Sequence, residues 1–225
     1  MVSLQELIEI GFTKEQAEAL LKEKYFRKNF ASWPKERLQL KINLIISFYG
    51  ISNSALVMKA IANYPRFIGC SHEKAMAKAM QIYGPENEQR IVQAILAFPQ
   101  FISLDHKRVL NEASKVYGAA NKQRIIDAIL VFPRFAKSNH KKNLEKLIKI
   151  YGKKHKAKVI NAILNAPEFP SYDHENVLKK VIETGLKANL TKDQCIDIVL
   201  SIPAKVKPES SASVAEAFRK ILQEK

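Results

Sequence analysis

The sequence predicts an all-α solenoid of 34-residue helical repeats. Three observations predict it: self-similarity at one fixed period, apolar residues at helical spacing inside each copy, and turn residues at the same places in every copy. The segments FYGISNSALVMKAIANYPRF, IYGPENEQRIVQAILAFPQF, VYGAANKQRIIDAILVFPRF and IYGKKHKAKVINAILNAPEF align without a gap. Tyr49, Tyr83, Tyr117 and Tyr151 are 34 apart, and Gly50, Gly84, Gly118 and Gly152 follow one residue later. Ala60, Ala94, Ala128 and Ala162 keep the same step, as do Pro65, Pro99, Pro133 and Pro167. So do Phe67, Phe101, Phe135 and Phe169, and His72, His106, His140 and His174. Six columns in one register define a repeat array whose copies bury a core only by stacking on one another.

Each copy reads as two main helices. The first follows Ser71, Asp105, Asn139 or Asp173, residue types whose side-chain oxygen accepts from free N–H groups of a first helical turn. Apolar residues then recur at helical spacing: Met76, Met80 and Tyr83; Leu110 and Val116; Leu144, Ile148 and Tyr151. The Gly after each Tyr fits a helix C-terminus, where positive φ costs glycine nothing. Asn53, Asn87, Asn121 and, in the fourth copy, His155 stand where a second N-cap is expected. The second helix carries Ile91, Val92, Ile95 and Leu96 or their equivalents, and its Ala column implies close helix approach. Pro then ends or kinks it, and the Phe two residues later is expected to plug the core.

The ends differ from the middle. Residues 1–34 read as an N-terminal cap and a degenerate repeat: Ser3 and Thr13 as N-caps, a Thr13/Gln16 capping box, and Trp33 at 34 residues before Phe67. Residues 35–207 form the array. Its fifth copy loses the Tyr, gains two residues (Pro203 is 36 after Pro167) and opens its second helix with a Thr191/Gln194 capping box. Residues 208–225 read as a turn and a closing helix from Ser213 and Glu216 to about Gln223.

Composition narrows the function. Hydrophobic residues make up 47% of 225, enough for a core, and no apolar run approaches the length of a membrane span. The first ten residues carry two Glu and no Arg, unlike a signal or transit peptide. Two cysteines, Cys70 and Cys195, read as small core residues in a reducing compartment. The expected location is intracellular, cytoplasmic or nucleoid, with delivery to a host nucleus or organelle equally consistent, and a monomer is expected. The chain lacks a Walker-type phosphate loop, H-E-x-x-H, G-x-S-x-G and a Gly-rich dinucleotide loop, so neither an enzyme nor a cofactor is expected. The four His of one column sit a repeat apart, too far to share one metal ion, and read as structural or phosphate-facing.

Lys and Arg number 37 against 22 Asp and Glu, a net +15 that points to a polyanionic partner. The basic residues fall in columns. Arg90, Arg124 and Lys158 sit three residues past the second-helix cap, with Lys122 and Lys156 two residues before them. Lys74, Arg108 and Lys142 recur near the start of the first helix. Such columns become stripes able to follow a phosphate backbone. The richest stretch runs from Lys137 to Pro170, with nine Lys and two Glu, and includes Lys153 and Lys154. Between the fixed Gly and the second cap, a pair changes class from copy to copy: Ile51-Ser52, Pro85-Glu86, Ala119-Ala120 and Lys153-Lys154. A reader of one base per repeat has that pattern, and so has an exposed turn.

The runs ILAFPQFISLDHKRVL and AIANYPRFIGCSHEKA, with a Pro followed by paired apolar residues and a basic first helix, resemble repeats of the mitochondrial transcription termination factor (mTERF) family. The strict period, the variable pair and ASKVYGAANKQRIIDAILVFPRF are similar to TAL-effector-like repeats. The resemblance spans about Lys35 to Lys207. The Gly-to-Pro stretch is three residues longer than in the TAL-effector-like pattern and no Gly-Gly follows the variable pair, so that family's base code does not carry over. Both resemblances imply a right-handed superhelix that wraps duplex DNA. The function expected is therefore binding of double-stranded DNA along a basic face. The alternatives are RNA binding and a protein-interaction solenoid of the TPR or HEAT kind.

Overall fold

A computed structural model describes residues 1–205. The expected closing helix at 213–223 and the turn before it lie outside the described residues. Every regular element among the described residues is helical. The chain divides into two compact units, Met1–Lys107 and a second that begins at Arg108.

The first unit holds α1 (Leu4–Ile10), α2 (Lys14–Lys22), α3 (Lys24–Asn29), α4 (Lys35–Tyr49), α5 (Ser54–Asn63), α6 (His72–Tyr83) and α7 (Glu88–Ala97). α8 (His106–Tyr117) spans the division. The second unit continues with α9 (Lys122–Val131), α10 (His140–Tyr151), α11 (Lys156–Asn165), α12 (His174–Lys187) and α13 (Lys192–Ser201). Within the first unit α4 packs on α5 and α6, and α7 packs on α5 and α6. Within the second, α10 packs on α11 and α12, while α11 packs on α9 and α13. Each unit is thus two layers, one of first helices and one of second helices.

The punctuation residues explain why the helices stop where they do. Gly50, Gly84, Gly118 and Gly152 follow the first helices with φ between 90° and 94°, a region closed to most L-residues. Pro65, Pro99 and Pro133 open short 3-10 turns, Pro65–Gly69, Pro99–Ser103 and Pro133–Lys137. The residues before them, Tyr64, Phe98 and Phe132, are driven out of the α region to ψ 81–83°, which ends the second helices. In the fourth copy the turn starts later, at Phe169–Ser171.

The predicted plugs are in place: Phe67, Phe101, Phe135 and Phe169 are fully buried, and Ala60, Ala94, Ala128 and Ala162 are buried where helices meet. Met80, Val116 and Ile148 are only half-buried; Ala79, Ala113 and Leu147, one residue earlier, point fully inward. Trp33 does not plug the first copy. It is half-exposed beneath the Arg37 guanidinium, 4.1 Å from its ring centroid, and Phe26 and Phe30 fill the core instead. The N-terminal caps form as expected, and Ser3 with Glu6 makes a second capping box.

Two capping expectations are corrected. Ser71 makes no side-chain cap bond, whereas Asn139 and Asp173 accept from Lys142 N–H and Asn176 N–H. The Asn column does not cap the second helices. A 3-10 turn leads directly into each, so Asn53, Asn87 and Asn121 already have near-helical backbone (φ −90 to −96°) that aims the side chain backwards. Their amide N–H groups donate to the carbonyls of Tyr49, Tyr83 and Tyr117 at 2.7–2.8 Å. They close the preceding helix rather than open the next.

No single described helix is long and apolar enough to cross a membrane. Cys195 is buried and Cys70 half-buried, its Sγ 3.4 Å from the Arg66 carbonyl.

Candidate nucleic-acid interface

What holds successive first helices side by side is a buried pair repeated at one phase. The Tyr that ends a first helix donates its hydroxyl to Nδ1 of the His that begins the next: Tyr49 to His72 at 2.9 Å and Tyr83 to His106 at 3.1 Å in the first unit. Tyr117 to His140 at 3.2 Å and Tyr151 to His174 at 2.8 Å do the same in the second. At both ends of this series the tautomer is fixed by a carbonyl. Nε2 of His72 donates to the Phe67 carbonyl at 3.0 Å and Nε2 of His174 to that of Phe169 at 2.6 Å, leaving Nδ1 to accept. Each Tyr also stacks on its Phe, with interplanar angles of 17–21°. Burial pushes the four imidazoles down to about 4, against a smaller opposing pull from the Phe carbonyl at His72 and His174. Burial likewise pushes the four phenols up. The His and Tyr columns are therefore structural: neither ring type is presented to a ligand.

The second-helix basic column is largely tied down. Arg90 is half-buried and donates to Asn87 Oδ1 at 2.8 Å. Arg124 donates to three amide oxygens: its own turn's Asn121 Oδ1 at 3.2 Å, and Asn161 Oδ1 at 2.7 Å and Asn165 Oδ1 at 3.1 Å on α11. Lys158 pairs with Asp197 on α13 at 2.6 Å, and Lys154 pairs with Asp193. Lys154 holds the Asp193 carboxyl below its usual range. Buried His155 completes this corner, with Nδ1 3.3 Å from Asp197 and Nε2 3.5 Å from Asp193. These contacts stitch neighbouring second helices together. Arg124→Ala is accordingly expected to destabilise the protein by about 2 kcal/mol in urea unfolding, the scale of lost charge-assisted bonds. Arg124→Lys is not expected to restore it, because an ammonium lacks the planar fork. Unchanged stability in both variants would rule out the tie.

The remaining predicted residues are exposed. Lys74 and Lys142 lie near the starts of α6 and α10, and Arg108 near the start of α8, 3.5 Å from Glu112. Lys122 and Lys156 begin α9 and α11, and Lys153 begins a turn. The variable pairs occupy exposed 3-10 turns: Ile51 and Ser52, Pro85 and Glu86, Ala119 and Ala120, Lys153 and Lys154. Their second members are partly engaged, since Glu86 Oε1 accepts from Asn87 at 3.3 Å and Lys154 meets Asp193.

The sequence reading passed over Lys115, Lys146, Lys149 and Lys180, all exposed on first helices. The signal was present: Lys142, Lys146, Lys149 and Lys153 follow steps of 4, 3 and 4, one face of a helix. From Arg108 to Lys205 the chain carries 19 basic and 9 acidic residues, against 14 and 10 from Met1 to Lys107. In α4, Leu40 and Leu44 stand 34 residues before Lys74 and Lys78 and are exposed with Phe48, so that helix presents an apolar face instead. Among the described residues no three His, Cys, Asp or Glu side chains converge as a metal would require.

No protein-family model, no curated protein and no solved structure matches this chain.

Proposed function

We propose that this protein binds nucleic acid, double-stranded DNA foremost, through the phosphate backbone along a basic face. The observation that carries the reading is the excess of exposed lysines on the helical layers from Arg108 onward, where 19 basic residues meet 9 acidic ones. Surface charge of one sign on a rigid helical array concentrates a polyanion and neutralises phosphates without requiring a pocket. The resemblance to TAL-effector-like and mTERF repeats supports the same partner. It also supports the finer architecture proposed with it: a right-handed superhelix whose structural unit is the 34-residue repeat.

Base reading by the variable pairs is proposed only as a secondary layer. Ala119-Ala120 offers methyl groups alone, and Lys154 is held by Asp193. Phosphate contact is the sequence-independent part of affinity, so weak specificity follows.

Fluorescence anisotropy tests the proposal, with duplex DNA, duplex RNA and single strands titrated across a salt series. Binding is expected to fall steeply and log-linearly with salt. Absence of binding to every nucleic acid at low salt would sink the reading and leave the protein-interaction solenoid.

A further inference from the structure

We infer, resting on the reading above, that the phosphate backbone of a duplex is held by the first-helix layer of the second unit, along a lysine strip on α10. The strip is Lys142, Lys146, Lys149 and Lys153, and it joins two positions that separate columns predicted through two lysines that neither column contains. All four are exposed, and none forms an ion pair among the described residues. The only carboxylate on the exposed face of α10, Glu145, lies toward Lys141 at 4.0 Å, off the strip. Neighbouring first helices extend the charge: Lys115 on α8 stands 34 residues before Lys149, and Lys180 on α12 stands 34 after Lys146. The Tyr117–His140 and Tyr151–His174 bonds fix α8, α10 and α12 in series, so the charges sit on a rigid support.

The second-helix layer lacks this freedom. Arg124, Lys154 and Lys158 are spent on Asn161, Asn165, Asp193 and Asp197, and withdrawing them for a ligand would break contacts between helices.

The chemistry of the strip selects the partner. Its charges are all lysine, flexible point charges that suit phosphate oxygens and lack the bidentate fork that arginine offers guanine. Single strands are gripped by stacking bases on aromatic side chains. In the second unit every described aromatic is buried or half-buried: Tyr117, Phe132, Phe135, Tyr151, Phe169 and Tyr172. A duplex, whose bases are already stacked, needs no such platform.

Two triple variants test the strip, read by anisotropy with one duplex, its single strand and polyglutamate over a salt series. Lys142, Lys146 and Lys149 are changed to Ala in one, and Lys122, Lys156 and Lys192, at the starts of second helices, in the other. The two remove equal charge, and circular dichroism checks that both remain helical. The first is expected to weaken duplex binding tenfold or more and to lower the salt slope by about three, roughly one phosphate per lysine. The second is expected to change affinity less than about threefold, the single strand to bind more weakly than the duplex, and polyglutamate not to compete. Equal losses in the two variants, or a larger loss in the second, would overturn the strip while leaving duplex binding intact. Polyglutamate bound as well as duplex would overturn the nucleic-acid partner. A wild-type protein that binds no nucleic acid would instead overturn the proposed function itself.

Discussion

Acidification from about pH 7 to about pH 4.5 is expected to lower the melting temperature by more than about 10 °C, the shift that several kcal/mol produce in a protein of this size. The cause is the four imidazoles buried between Tyr and Phe, whose proton affinity in the folded state is pushed down to about 4 from an ordinary 6.5. Between these values the unfolded chain binds protons that the folded chain refuses. The stabilisation is therefore fully present above about 6.5 and is lost as pH falls toward 4. Each ring contributes at most about 3 kcal/mol on that scale, and four together are comparable to the whole stability of an ordinary domain. Geometry agrees: with Nδ1 accepting from Tyr and Nε2 donating to a carbonyl, a second proton on Nδ1 would face the hydroxyl that now donates to it. Calorimetry at a series of pH values checks this. A melting temperature flat from pH 7 to 5 would show that the rings are not sequestered.

Phe135→Ala is expected to cost about 3–5 kcal/mol, the range for emptying a fully buried aromatic site. Phe135 stacks on Tyr117 at a centroid distance of 5.9 Å and meets the His140 ring at 4.6 Å, so its loss opens a void beneath the joint between α8 and α10. Tyr117→Phe is the informative companion. It keeps the ring and removes one donor, leaving His140 Nδ1 buried without a partner, and is expected to cost about 1–3 kcal/mol. Urea unfolding of the two variants orders them. A Tyr117→Phe loss as large as that of Phe135→Ala would place the joint's strength in its hydrogen bond rather than its packing.

Helix content, the Gly and Pro stops and the Phe plugs were legible because each rests on a local rule repeated at fixed spacing. The Tyr–His bond was half legible. Both columns were evident 23 residues apart, yet periodicity alone does not say that the end of one helix touches the start of another. The Asn column misled because residue type favours a cap, whereas the 3-10 turn before each second helix had already turned the backbone helical. The basic columns were correctly placed at the surface, but Arg124 and Asn161 lie 37 residues apart, one period plus three, and only packing brings them together. A column of like charge in sequence therefore does not distinguish a ligand contact from a rivet.

The Tyr–His joint also bears on how such a gene can change length. Half of each joint closes one helix and half opens another, so deleting or duplicating 34 codons at any phase between Tyr117 and Tyr151 regenerates an intact pair. Recombination between copies thus leaves no scar in the core, whatever the breakpoint. The freedom ends at α12, which runs on through Gly185 where earlier copies end in Tyr, and so offers no hydroxyl to a following imidazole. Copy number can drift upstream of that helix, while α12 acts as the stop codon of the architecture.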